Sequence, residues 1–306
     1  MYIINPDFYN SPCYRIGPFR TSDISFNHEL PESNFIDDYF DSRFGGKQYM
    51  YTQNGRTALN IALNYYKLKS NDVVTILTTT GNFYISSCVT NEIEKFCLWS
   101  REIVSNTKLI LINHEFGYPY ENLELLVQYN IPIIEDCAGS FFTMSRDHKI
   151  GQVGDFVIYS FPKMFPIQIG GLLVANLPNP VNVFPKIRKD YLRYIRNVLS
   201  YYIKLKGEII EKRLNNHEFL VKEFETLGLI KRFELDFGAV PAVFMFRTSG
   251  HNMNLDILKK YFYSNGVQCS VFYGEQSFFI PVHQALNTQD LEYFYEIMKS
   301  FKTGDL

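Results

Sequence analysis

The stretch Gly154-Asp-Phe-Val-Ile-Tyr-Ser160-Phe-Pro-Lys163 decides how the chain is read. Asp155 to Phe161 is largely apolar, as expected of a strand buried on both faces. Lys163 follows two residues later. An ammonium beside such a strand is costly unless it is paired, deprotonated or covalently used. Lysines that form Schiff bases sit in such places. The plainer alternative is a lysine snorkelling from a sheet edge.

Working outward, the same kind of strand recurs. Gln48 to Thr52, Val73 to Leu77, Leu109 to Asn113 and Ile131 to Glu135 precede it, and Gly171 to Ala175 follows. Helical patterns stand between them. Ser33 to Phe44 is stopped by Gly45-Gly46, and Ala58 to Tyr66, Asn82 to Lys95 and Leu123 to Tyr129 follow. Strands alternating with helices predict an α/β fold, a mostly parallel sheet flanked by helices. Ligands in such sheets bind at the carboxyl ends of the strands. Residues 1 to 30 read as irregular. After Asn176 the character changes, with Pro178, Pro180 and Pro185 marking a connection. Long charged helical patterns occupy 187 to 227. Short strand-like pieces at Ala239 to Arg247 and Val267 to Tyr273 then flank helices at Leu255 to Tyr263 and Thr288 to Phe301. This predicts a large domain over 1–190 and a smaller C-terminal α+β domain over 191–306.

Composition narrows the function classes. The 306 residues carry a formal net charge of −2, so no basic excess points to nucleic acid or to an anionic membrane. No apolar run approaches the roughly 18 to 20 residues that span a bilayer. The opening Met1-Tyr-Ile-Ile-Asn-Pro-Asp lacks the features of a secretory signal. The five cysteines are odd in number, widely spaced and without a CxxC pair, which argues against a disulfide scaffold and for a cytoplasmic setting. The six histidines show no HExxH spacing, so nothing supports a metal.

Four loops lie at strand ends. Asn54-Gly55-Arg56-Thr57 opens a helix, and free N–H groups there suit a phosphate, although Asn-Gly also caps helices for no further reason. Thr78-Thr79-Thr80-Gly81-Asn82-Phe83-Tyr84 is a polar turn bearing aromatics, which are more often core residues than cofactor platforms. Ile134-Glu135-Asp136-Cys137-Ala138-Gly139 ends a strand with a carboxylate, to meet a cationic ligand atom or merely to cap a turn. Ser160-Phe161-Pro162-Lys163 is the fourth. No GxGxxG, GxxxxGK[ST] or GxSxG run is present. Taken together, the four suit pyridoxal 5'-phosphate. Its phosphate wants helix N–H groups and hydroxyls, its ring an aromatic face, its pyridine nitrogen a carboxylate, and its aldehyde a lysine.

On these residues the sequence resembles the DegT-type sugar aminotransferases, pyridoxal-phosphate enzymes with the aspartate aminotransferase fold. The likeness runs from about Phe35 to Asn176. Asn54-Gly-Arg-Thr-Ala-Leu59 is similar to the family's Ser-Gly-Thr-x-Ala-Leu loop, and His114-Glu-Phe-Gly-Tyr-Pro119 to its His-x-x-Gly-x-Pro stretch. Ile134-Glu-Asp-Cys-Ala138 resembles Ile-Glu-Asp-Ala-Ala, and Gly154 to Phe161 resembles Gly-Asp-x-x-x-Phe-Ser-Phe. Lys163, seven residues before Gly170-Gly171, falls on the family's Schiff-base lysine.

The resemblance implies roles. Lys163 would bond the cofactor covalently and later act as the proton-transfer base. Asp136 would pair with the pyridinium nitrogen. Ser160 and the backbone at Gly55 and Arg56 would hold the phosphate. The ring-stacking position falls on Gly81, and Phe83, two residues on, is the aromatic assigned to it. Gly139 replaces the family's Gln or His beside the ring hydroxyl, which implies an opening there. The implied activity is transfer of an amino group, with glutamate as donor, to a nucleotide-linked keto sugar by a homodimer, in surface-polysaccharide or specialised-metabolite synthesis. Two alternatives stand. One is a dehydratase-like pyridoxal-phosphate enzyme, against which Lys163 counts because family dehydratases tend to carry histidine there. The other is a catalytically silent member acting as a binding protein.

Overall fold

The computed structural model describes residues 13–145, 150–178, 181, 187–250 and 253–304. Pro180, Pro185, His148 and His251 lie outside them, as does the opening segment 1–12. The described chain begins with α1 (Asp23–Glu29) and α2 (Phe35–Phe44). It then builds β1 (Gln48–Thr52), α3 (Gly55–Tyr65), β2 (Val73–Thr78), α4 (Ser87–Ile93), β3 (Leu98–Ser100) and β4 (Thr107–Asn113). Next come α5 (Leu123–Val127), β5 (Ile133–Asp136), β6 (Phe156–Ser160) and β7 (Gly171–Ala175). These strands form one sheet in the order β1-β7-β6-β5-β4-β2-β3. The neighbours from β3 across to β6 are parallel, and β7 runs antiparallel to both β6 and β1. The expected mostly parallel α/β sheet is present, with one reversed strand.

The apolar runs form this sheet because both faces are covered. In β4, Leu109, Ile110, Leu111 and Ile112 are all fully buried. Leu109 and Leu111 pack with Ala58 and Ala62 of α3, while Ile110 and Ile112 pack with Leu123 and Leu126 of α5. Alternation along the strand thus feeds two opposite layers. In β6, Phe156 and Ile158 join the α3 side, and Val157 and Tyr159 join Phe40 and Phe44 of α2. Each such side chain contributes roughly 1.5–3 kcal/mol by burial.

Beyond β7 lie α6 (Lys189–Tyr202) and α7 (Lys206–Thr226). Ile195, Val198 and Leu199 of α6 share a core with Phe161 and Phe165. Leu220 and Phe224 of α7 belong instead to a second core with Phe244, Phe246 and Phe278. Helix α7 therefore runs from one core into the other. The second core is covered by β8 (Ile230–Lys231), β9 (Val243–Arg247), α8 (Leu255–Ser264), β10 (Ser270–Phe272), β11 (Ser277–Pro281) and α9 (Thr288–Thr303). Its strands form an antiparallel sheet in the order β10-β11-β9-β8.

Two expectations need correction. Part of the irregular N-terminal stretch is the helix α1; its Ile24 and Phe26 are exposed, so it lacks the apolar stripe that would have marked it. The helix read over Asn82 to Lys95 is confined to Ser87–Ile93. Tertiary hydrogen bonds hold the preceding segment out of the helix. Asn82 Nδ2 donates to Tyr273 O at 2.7 Å, and Arg101 donates to Asn82 O at 2.6 Å.

Candidate active site

Four strands and a helix start converge on one edge of the large sheet. Register pairs Thr78 with Asn113, Asn113 with Asp136, and Asp136 with Ile158, so β2, β4 and β5 end level. Strand β6 runs two residues further, to Ser160, which is paired with Gly171; Gly171 in turn is paired with Thr52 at the end of β1. Gly171 is required there, because a Cβ would lie 2.8 Å from Thr52 Oγ1, from Tyr159 O and from the Asn54 carbonyl carbon.

That close packing brings the start of α3 onto Ser160. A Cβ added at Gly55 would stand 3.2 Å from Ser160 Cβ and 3.6 Å from its Oγ. Asn54 caps the helix by accepting from Thr57 N at 2.9 Å. The N–H groups of Gly55 and Arg56, which have no acceptor within the helix, are left at the mouth beside the Ser160 hydroxyl. Arg56 is exposed. The start of α3 and Ser160 thus bring free donors together in one corner, the kind of donor set a phosphate requires.

Lys163 ends a 3-10 turn, Phe161–Lys163, directly after β6. Buried Phe161 anchors the turn, with its N–H donating to Gly170 O and its carbonyl accepting from Met164 N and Phe165 N. The Lys163 side chain is exposed, and its ammonium has no hydrogen bond or ion pair among the described residues. The desolvation cost that made this lysine conspicuous is therefore not incurred. What the fold provides, on the turn three residues beyond Ser160, is a side chain with no hydrogen bond or ion pair among the described residues.

Asp136 is half-buried at the end of β5. Its Oδ1 accepts from Ala138 N at 2.9 Å, and Oδ2 has no partner among the described residues. One oxygen shapes the turn and the other is available to a ligand. Phe83 is 73% exposed and makes no ring contact among the described residues, so it is not gathered into the cluster. Its neighbour Tyr84 packs against Phe272 and Tyr273. The space at Gly139, where an opening is expected, admits a Cβ at ordinary contact distance. A Cβ there would meet Phe116 N at 3.7 Å, and Gly117 N and Ala242 Cβ at 3.8 Å. The turn at 116–117 and the strand-leading segment at Ala242 border that space.

Sequence reasoning assigned no role to Glu135, the neighbour of Asp136. It is fully buried, and its Oε1 accepts from Val153 N at 2.9 Å and Gly154 N at 2.6 Å. Its Oε2 accepts from Gly151 N at 2.7 Å and lies 3.0 Å from His114 Nε2. His114 Nδ1 accepts from Tyr120 N at 3.0 Å, so the ring proton is on Nε2 and is donated to Glu135. Glu135 therefore ties the loop before β6 to the end of β4. Cys137, within 4.8 Å of both partners, is a buried thiol whose pKa burial pushes well above its usual range. With the histidine and carboxylate engaged, this trio serves the fold. Glu115 was also missed. Its carboxylate accepts from Thr80 N at 2.8 Å and Thr80 Oγ1 at 2.7 Å, which fixes the polar turn after β2, and burial raises its pKa.

The donor set fits pyridoxal phosphate: an anion corner at Gly55, Arg56 and Ser160, a free amine at Lys163, and a free carboxylate oxygen on Asp136. A family model described as "Putative PLP-dependent aminotransferase" matches residues 36–237. A dTDP-3-amino-3,6-dideoxy-alpha-D-galactopyranose transaminase from Aneurinibacillus thermoaerophilus is 25% identical over 207 residues, 59% of this chain and 57% of that protein. The chain spans about half the length of the curated relatives it matches. The aminotransferase TlmJ from Streptoalloteichus hindustanus shares the fold with a TM-score of 0.74 at 16% identity, over 93% of this chain and 95% of the other. A DegT DnrJ EryC1 StrS aminotransferase from Brucella abortus does so with a TM-score of 0.69 at 14% identity, over 92% and 93%.

Proposed function

The chain belongs to the pyridoxal-phosphate-dependent aminotransferase family, and we propose that it is a DegT-type sugar aminotransferase. It uses pyridoxal 5'-phosphate to move an amino group from glutamate to a nucleotide-linked keto sugar. The observation that carries this reading is the uncommitted Lys163 amine on the sheet edge that also holds the Ser160–Gly55 corner and the free oxygen of Asp136. The acceptor class is supported by the dTDP-amino-sugar transaminase relative.

When bound, the cofactor supplies an aldehyde and an electron-withdrawing ring. The N–H groups of Gly55 and Arg56 and the Ser160 hydroxyl hold its phosphate. Asp136 keeps a proton on the pyridine nitrogen through a charge-assisted hydrogen bond. Lys163 Nζ would hold the aldehyde carbon and, once the incoming donor amine has displaced it, would serve as the base that takes a proton from the donor's α-carbon and returns it on the other side of the transfer. A lysine at this position, where family dehydratases tend to carry histidine, favours transfer over dehydration. The working form proposed is a cytoplasmic homodimer. Exposed Ile24, Phe26, Phe35 and Tyr201 on α1, α2 and α6 offer apolar surface for the second copy.

The test is a panel of keto-sugar nucleotides with glutamate and cofactor, read by release of 2-oxoglutarate. Turnover with one or a few sugars is expected. A protein that binds the cofactor yet transfers no amino group to any of them would contradict the proposal.

A further inference from the structure

Arg213 of α7 is fully buried and has no ion pair among the described residues. Burial alone pushes its pKa down to about 9. A methionine or leucine would fill the space without that cost. What an apolar residue lacks is the planar five-donor fork. Arg213 uses that fork on three separate segments. Its Nη2 donates to Lys163 O at 3.1 Å, its Nη1 to Pro241 O at 3.0 Å, and its Nε to Gln284 Oε1 at 2.8 Å. Gln284 then donates through Nε2 to Met164 O at 2.9 Å. The pair grips two successive carbonyls of the turn that presents Lys163. Three residues further along α7, Asn216 donates to Val282 O and His283 O and so holds the segment carrying Gln284.

We infer that Arg213, with Gln284, is a positioning residue for Lys163. The inference rests on the reading of Lys163 as the cofactor lysine. The Lys163 side chain has no hydrogen bond or ion pair of its own among the described residues, so the place of its amine follows from the backbone of its turn. Beyond the turn's own hydrogen bonds, the clamp fixes that backbone. A misplacement of about 1 Å can cost on the order of 100-fold in reactivity.

The test uses the full-length apo protein and free pyridoxal phosphate. The Lys163 amine condenses with the aldehyde and releases water, and borohydride then delivers hydride to the C=N bond, leaving a stable secondary amine. Rate of capture, cofactor Kd and melting temperature are measured for the wild type, Arg213→Met, Arg213→Lys, Gln284→Ala and Lys163→Ala. Gln284 is only half-buried, so its variant keeps the inference testable should the Arg213 variants fail to fold. Expected is capture at Lys163 slowed about 10- to 100-fold in Arg213→Met and about 10-fold in Gln284→Ala at melting temperatures that still give folded protein. Arg213→Lys, which cannot reach all three acceptors, should not rescue. Capture at the wild-type rate in folded Arg213→Met or Gln284→Ala overturns the positioning role while leaving Lys163 in place. Equal capture by the wild type and Lys163→Ala overturns the reading of Lys163 itself, and the positioning role with it.

Discussion

Adjacent carboxylates at the end of β5 should respond in opposite ways to the same small change. In Glu135→Gln one carboxylate oxygen becomes an NH2 group. Whichever oxygen is replaced, the amide then faces two donors: Val153 N and Gly154 N, or Gly151 N and His114 Nε2. A buried donor left unsatisfied costs about 1–3 kcal/mol. The two bonds that survive change from charge-assisted to neutral, at about 1 kcal/mol each. The expected loss is about 4 to 8 kcal/mol, against a typical total stability of about 5–15 kcal/mol. Urea unfolding followed by circular dichroism measures it. Asp136→Asn is the control: the amide oxygen can still accept from Ala138 N, so its stability should stay within about 1 kcal/mol of wild type. A Glu135→Gln protein within 1 kcal/mol of wild type would refute the reasoning, because four buried hydrogen bonds would then carry no net stability.

Asp136→Asn should retain the fold yet lose most of kcat, since the amide cannot hold a proton on the pyridine nitrogen; unchanged turnover would remove Asp136 from the site. Burial lowers the pKa of His217 to about 4 and of His283 to about 3. The unfolded chain protonates them near 6.5, so the stability they contribute is complete above that pH and is lost as pH falls toward 4. His217→Leu should flatten the slope by roughly 1.4 kcal/mol per pH unit in that window, checked by urea midpoints at pH 4.5, 5.5 and 7. Gly139→Ala should fold normally because its Cβ meets only ordinary contacts, whereas Gly139→Gln should lose about 1–3 kcal/mol by overpacking against Phe116, Gly117 and Ala242. Equal melting temperatures for the two variants would show that the space is open after all.

The sheet was legible because β2, β4, β5 and β6 are buried on both faces and so read as mostly apolar runs, interrupted by Thr75 in β2 and by the acidic end of β5. The helix start at Asn54-Gly55 was legible for a related reason: Asn54 caps the helix and Gly55 admits Ser160 closely. The sequence was silent where placement depends on distant partners. Asn82 to Ser86 has a helical pattern, but Tyr273 and Arg101 hold Asn82 elsewhere. Glu135 looked like one more strand-end acid; its role appears only when the loop at 151–154 folds over it. Arg213 sat in a charged helical run that gave no hint of burial. At Gly139 the sequence showed only a missing side chain; that a backbone turn 22 residues upstream borders the space is visible only in the fold.

The central claim is that Lys163 carries the cofactor, and peptide mapping after borohydride reduction of the pyridoxal-phosphate-loaded protein tests it most directly. The account predicts one reduced pyridoxyl group per chain, on the peptide containing Lys163, and none on that peptide in Lys163→Ala. A pyridoxyl group found on another lysine, or none on wild-type protein saturated with cofactor, would contradict it.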